Sequence, residues 1–312
     1  MTLRTWPITV SGGTVWVGNN AALGGGTVVF SGGKIASDSA SARTLANALT
    51  LSGGLSLGDG TNTGALTFSG AAALSAATTL TVLSDVTMGG VVSGAFDLTK
   101  AGGGELTLSG VNTYSGATVV TAGTLTLSGG SALANSMAVT VNAGGTLKLA
   151  SSEEIGTLAG AGAVNLQSNT LTLSGSGNTT YSGVMSGSGG ALVKSGSGEL
   201  TLSGTNTFGG GATVSGGAVL VGNNAAFGGG TVVFSGGKIA SDGASARTLA
   251  NALTLSGTLA LGDGTNTGAL TLSGTAALSA ATTLTVASGV TMSGVVSGAF
   301  DLTKAGSGEL TL

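Results

Sequence analysis

The stretch GELTLSGVNTYSGATVVTAGTLTLSGG, residues 104–130, decides the fold. Its two L-T-L cores, at Leu106 and Leu125, alternate apolar residues with threonine at period two, and each is followed by Ser-Gly. Such alternation marks a strand with one face inside, and glycine clusters between the bursts mark corners. The burst returns as TLKL at 146–149, TLTL at 170–173, ELTL at 199–202 and AVLV at 218–221, about 18 to 29 residues apart. One return per turn suits a parallel β-helix, in which each turn lies about 4.8 Å from the last and like residues stack inside. Leu106, Leu125, Leu147, Leu171 and Leu200 are therefore expected to form one interior ladder. Their neighbours Thr107, Thr126, Lys148, Thr172 and Thr201 are expected to face water. At roughly 22 residues per turn, the expected fold is all-β, a parallel β-helix (β-solenoid) of about 14 coils.

Working outward, residues 11–108 recur without a gap as residues 215–312, with about a dozen differences. Trp16 of the first copy becomes Leu220 in the second. Self-similarity on this scale marks a quasi-one-dimensional stacked protein. We expect a single β-solenoid over 1–312, with internal repeats 11–108 (A), 109–214 (B) and 215–312 (A′, a near-duplicate of A). The only stretch with some helical spacing, ASARTLANAL at 40–49 and again at 244–253, reads as an excursion or another strand pair.

Composition agrees. Of 312 residues 61 are Gly and one is Pro, there is no Cys or His, and charged residues make up 7% against the one quarter usual in globular chains. Glycine does not recur every third residue, so the chain is not collagen-like, and the many Val, Leu and Ala argue against disorder. A net charge of -3 offers no basic stripe, so no nucleic-acid partner is expected. No apolar run reaches about 18 residues, so no membrane insertion of this segment is expected. The start, MTLRTWPITVSGG, lacks the apolar core of a signal peptide.

The string at 104–130 and its partner GELTLSGTNTFGGGATVSGGAVLVG at 198–222 resemble the autotransporter-associated β-strand repeat, found in the passenger regions of bacterial autotransporter-type surface proteins. The resemblance implies a secreted parallel β-helical stalk at the bacterial cell surface, exported through an outer-membrane barrel located elsewhere in the precursor. It carries over no functional residues, because the motif is architectural.

The remaining constellations divide between structure and chemistry. Lys100 and Glu105, Lys194 and Glu199, and Lys304 and Glu309 share the spacing K-[AS]-G-x-G-E, which reads as three surface ion pairs across a glycine corner. Asp38 with Arg43 and Asp242 with Arg247 show the same separation. Asn112, Asn206 and Asn178 precede Tyr114, Phe208 and Tyr181, a pattern of packed corners, with sugar binding on exposed aromatics the sharper reading. Threonine pairs such as Thr79 and Thr81 read as ordinary strand residues rather than as an ice-binding array. Asp59 and Asp263, in LGDGTNTG, read as turn residues, and the glycine strings fit neither a calcium repeat nor a phosphate loop. Without His or Cys the common nucleophile–base pairs are missing. Glu153 and Glu154, the only adjacent acids, should point to opposite faces. No catalytic residue, metal ligand or cofactor is therefore expected.

These readings converge on a non-enzymatic structural segment of an extracellular or cell-surface bacterial protein. The expected partners are neighbouring copies of itself or adjacent repeats of a longer chain, joined end to end into filaments because no polar cap is recognisable at either end. The runner-up is an adhesin whose β-helix face binds glycans or a cell surface.

Overall fold

The computed structural model describes residues 6–312. Among them every secondary-structure element is a strand and none is a helix. The strands pair in parallel along the chain, as a β-solenoid requires, and the coils number about 15 turns. Two compact units divide at Glu154 and Ile155, inside the B segment and away from both repeat borders.

In the first unit, Ile8–Val17, Val28–Ser37, Leu49–Leu57 and Ala72–Val82 stack in that order. Their period-two pattern sends alternate residues inward, so Val10, Phe30, Leu51 and Leu74 lie over one another and are all buried. A second side of the coil is built from Arg43–Leu45, Leu66–Phe68, Val86–Met88, Glu105–Leu108, Thr118–Leu127 and Ala138–Leu149. There Leu45, Phe68, Met88, Leu108, Leu127 and Leu149 form an unbroken apolar column. Burying a side chain of this size contributes about 1.5–3 kcal/mol, so such columns are the dominant favourable term of the fold. The stretch with helical spacing contributes the short strand Arg43–Leu45, since threonine and leucine at this corner pair with Thr67 and Phe68 of the next turn.

The expected ladder is real in its first three rungs. Leu106 stands on Leu125 and Leu125 on Leu147, and the column extends back to Val86 and Leu66. Leu171 and Leu200 belong elsewhere. In the second unit Leu171 stacks on Leu192, then Ala212, Val232 and Leu253, whereas Leu200 stacks on Val219, then Ile239 and Leu261. The reason is that the same L-x-L pattern builds more than one side of a turn. Partners on one column are about 20 residues apart, and Leu171 and Leu200 are separated by more than that.

Thr107, Lys148, Thr172 and Thr201 lie on the outer side and are half-buried. Thr126 departs from expectation: it is buried, with its hydroxyl donating to Glu105 Oε1 at 2.6 Å.

Candidate functional site

The polar residues inside these coils are few, and the most elaborate group recurs once in each unit. In the strand Leu98–Ala101, period two puts Leu98 and Lys100 on the same, inward face. Lys100 is therefore 1% exposed, and its ammonium cannot reach Glu105 on the outer face. It donates instead to the carbonyl oxygens of Ala101 at 3.0 Å, Gly102 at 2.7 Å and Ala122 at 2.9 Å, the last on the following turn. Burial pushes the Lys100 ammonium down to about 8.

Lys194 repeats the arrangement in the second unit. It shares the inward face of Ala191–Lys194 with Leu192, is 4% exposed, and donates to the Gly196 carbonyl. Burial lowers its ammonium as well. The turn that closes over each lysine carries a glycine at positive φ, Gly123 at +66° and Gly217 at +61°. A Cβ there would lie 2.8 Å from the Lys100 ammonium and 2.7 Å from that of Lys194, and closer still to two carbonyl oxygens. Only glycine allows both the turn and the fit.

The expected surface pairs are thus corrected. Glu105 meets Lys148 at 3.4 Å and Glu199 meets Lys238 at 3.9 Å, each reaching a turn other than that of its expected partner. Lys304 is exposed and donates to the Gly306 carbonyl at 2.9 Å, and Glu309 is exposed. The Asp38–Arg43 and Asp242–Arg247 pairs form as read, at 2.7 and 2.8 Å. A signal for the buried lysines was present in the sequence: each stands two residues after a core leucine, the spacing that keeps a strand residue on the same face.

Twelve residues after each lysine an asparagine ties successive turns. Asn112 Oδ1 accepts from the Val92 amide of the preceding turn at 2.7 Å, while its Nδ2 donates to the Ala132 carbonyl of the following turn at 2.7 Å. Asn206 does the same between Met185 and Ala226, at 2.8 and 2.7 Å. Both side chains are 3% exposed. Asn178 is exposed and accepts from the Glu199 amide.

The aromatics of these corners point inward, so they form no sugar platform. Tyr114, Tyr181 and Phe208 are fully buried, and burial raises both tyrosine hydroxyls above their usual range. The Tyr181 hydroxyl donates to the Gly162 carbonyl at 2.7 Å. Asp59 and Asp263 are turn residues as read, each accepting from two backbone amides, and hydrogen bonds from Lys34 and Lys238 hold both carboxyls down at about 2. Among the described residues no group of three or more His, Cys, Asp or Glu could hold a metal ion. The arrangement spends its polar atoms on the chain's own backbone.

A parallel β-solenoid whose recurring polar centres staple one turn to the next is a repeat architecture. Two of its segments are similar to a known family: the passenger-associated-transport-repeat model matches residues 98–127 and residues 192–221. Each match begins at the strand of the buried lysine, includes Asn112 or Asn206, and ends four residues after the covering glycine. No curated protein and no solved structure matches the chain.

Proposed function

We propose that this chain is a non-enzymatic structural segment of a secreted bacterial surface protein, a stalk of stacked turns that carries other parts away from the cell. The observation that supports it best is the destination of the buried polar groups. Lys100, Lys194, Asn112 and Asn206 all bind backbone of their own or adjacent turns, and none faces an open cleft. The similarity to the passenger repeat supports an extracellular or cell-surface setting. Parallel stacking has no built-in closure, because each turn leaves a row of amides and carbonyls for the next, so turns of a longer chain or of another copy can extend it into filaments.

Electron microscopy of the purified protein tests this reading. Rod-shaped particles or fibres support it, and compact round particles contradict it. A second reading, an adhesin that binds glycans, is favoured by Trp6 and Trp16, which are 73% and 47% exposed while both tyrosines are buried. Glycan-array binding that is lost on Trp16→Leu, the residue its near-duplicate carries at Leu220, would support that alternative.

A further inference from the structure

Besides the two buried lysines, four asparagines form neutral polar rungs inside the coils. Asn112 and Asn206 bridge turns as described, and Asn47 and Asn251 donate from Nδ2 to the carbonyls of Gly26 and Gly230, each at 2.7 Å. None of the four carries a charge. Glu153, which opens the strand Glu153–Ile155, occupies the same kind of place in the first unit. It faces inward, is 3% exposed, and its Oε1 accepts from the buried Leu133 amide at 2.7 Å, about one turn back. That bond reproduces the one made by Asn112 Oδ1. The other oxygen, Oε2, is buried and has no hydrogen-bond partner among the described residues.

We propose that Glu153 is a proton-operated rung, standing in the packed turn as a neutral carboxylic acid in the manner of the amides around it, and loosening that turn when it ionises. A carboxylate here would be a buried charge with one oxygen unpaired, the kind of group that costs several kcal/mol unless it is neutralised.

Among the described residues of the first unit no cation compensates it. Burial raises the Glu153 carboxyl, the backbone amides of Leu133 and Ala132 lower it, and no charged side chain contributes. The titratable group facing it is the Tyr114 phenol, itself raised further by the Glu153 charge and committed to Thr118. Glu154, the next residue, lies on the opposite face and is half-buried.

The sign follows from linkage. A carboxyl raised in the folded state stabilises below its unfolded value and loses that contribution as pH rises through its folded value. Between about pH 5 and pH 7 the carboxyls of Asp59 and Asp263 are already ionised and the Lys100 ammonium stays mostly protonated, and the comparison with Glu153→Gln cancels what such groups contribute.

The test compares the melting temperature of the whole chain at pH 5 and pH 7 with that of Glu153→Gln, an amide of the same shape. Wild type should melt several degrees lower at pH 7. Glu153→Gln should remove that difference and match or exceed wild type at pH 7. A variant that keeps the difference, or that melts lower than wild type at both values, overturns the proposal. If Glu153→Gln does not fold, hydrogen exchange at the Leu133 amide of wild type decides: protection should fall from pH 5 to pH 7 after correction for intrinsic rates, and constant protection overturns it.

Discussion

The hydroxyls of Tyr114 and Thr118 lie 2.6 Å apart inside the first unit, and both are buried. In the second matched repeat the same two places hold Phe208 and Ala212, so both halves of the hydrogen bond are missing together. Two interior solutions thus serve one corner, one polar and paired, the other apolar throughout. A corner with only half of the pair strands a hydroxyl in the core.

That comparison sets up a double-mutant cycle. Thr118→Ala leaves the Tyr114 hydroxyl buried without Thr118 and should cost about 1–3 kcal/mol. Tyr114→Phe should cost less, about 1 kcal/mol, because the Thr118 hydroxyl keeps its contact with Met137 Sδ at 2.9 Å. The double variant recreates the Phe208–Ala212 corner and should be more stable than the sum of the single losses predicts. Denaturant unfolding measures all four proteins, and strict additivity would show that the hydroxyls do not depend on one another.

Lys100→Met tests the carbonyl cage. The variant removes a desolvated charge but leaves the carbonyl oxygens of Ala101, Gly102 and Ala122 without their donor. The second effect should win, with a net loss of about 1–3 kcal/mol at pH 7. The cage has a pH signature too. The folded ammonium sits at about 8 and the ordinary value is 10.5, so in between the unfolded chain holds the extra proton and wild-type stability rises with pH. Lys100→Met should show a smaller rise, the remainder coming from the buried Lys194, and unfolding midpoints from pH 8 to pH 10 would show it.

The parallel coil was legible in residues 104–130 because strand period and glycine corners are local signals, and register between Leu106, Leu125 and Leu147 follows from them. What the pattern could not fix is which side of a turn each burst builds. Leu171 and Leu200 carry the same signature as Leu106 and stand on other columns, since corner lengths vary between turns. Lys100 and Lys194 were misplaced for a different reason. Lysine is almost never buried unless paired, so the composition rule prevailed over the strand period, and the carbonyls that satisfy these ammoniums, from the glycine corner just after each lysine and for Lys100 also from Ala122 of the following turn, are backbone atoms that leave no mark in the residue pattern. Thr126 shows the converse, an outer-face residue covered by the Glu105 side chain that bonds it.

Leu147→Asp and Thr107→Asp test the two faces of the column. Leu147 is fully buried on Leu125, and an aspartate there would be an unpaired buried charge, so a loss of several kcal/mol is expected. Thr107 is on the outer face and half-buried, and its replacement should cost below about 1 kcal/mol. Comparable losses in urea unfolding would mean that the inward and outward assignments are wrong.

Acid should weaken the corners that carry Asp59 and Asp263. Hydrogen bonds from Lys34 and Lys238, followed by those from the amides of Thr61 and Thr265, hold both carboxyls at about 2, below their ordinary 3.8. A carboxyl lowered in the folded state stabilises above its unfolded value and loses that contribution as pH falls through its folded one, so the window runs from about 4 down to about 2. Removing both cations, as Lys34→Met with Lys238→Met, should lower the urea midpoint at pH 7 and leave progressively less difference from wild type as pH drops through that window. Lys34 also lies 5.0 Å from the centre of the Trp16 ring, a contact that acid does not touch. A difference that stays constant from pH 7 to pH 2 would therefore assign the lysines' contribution to packing on such neighbours rather than to the carboxylates.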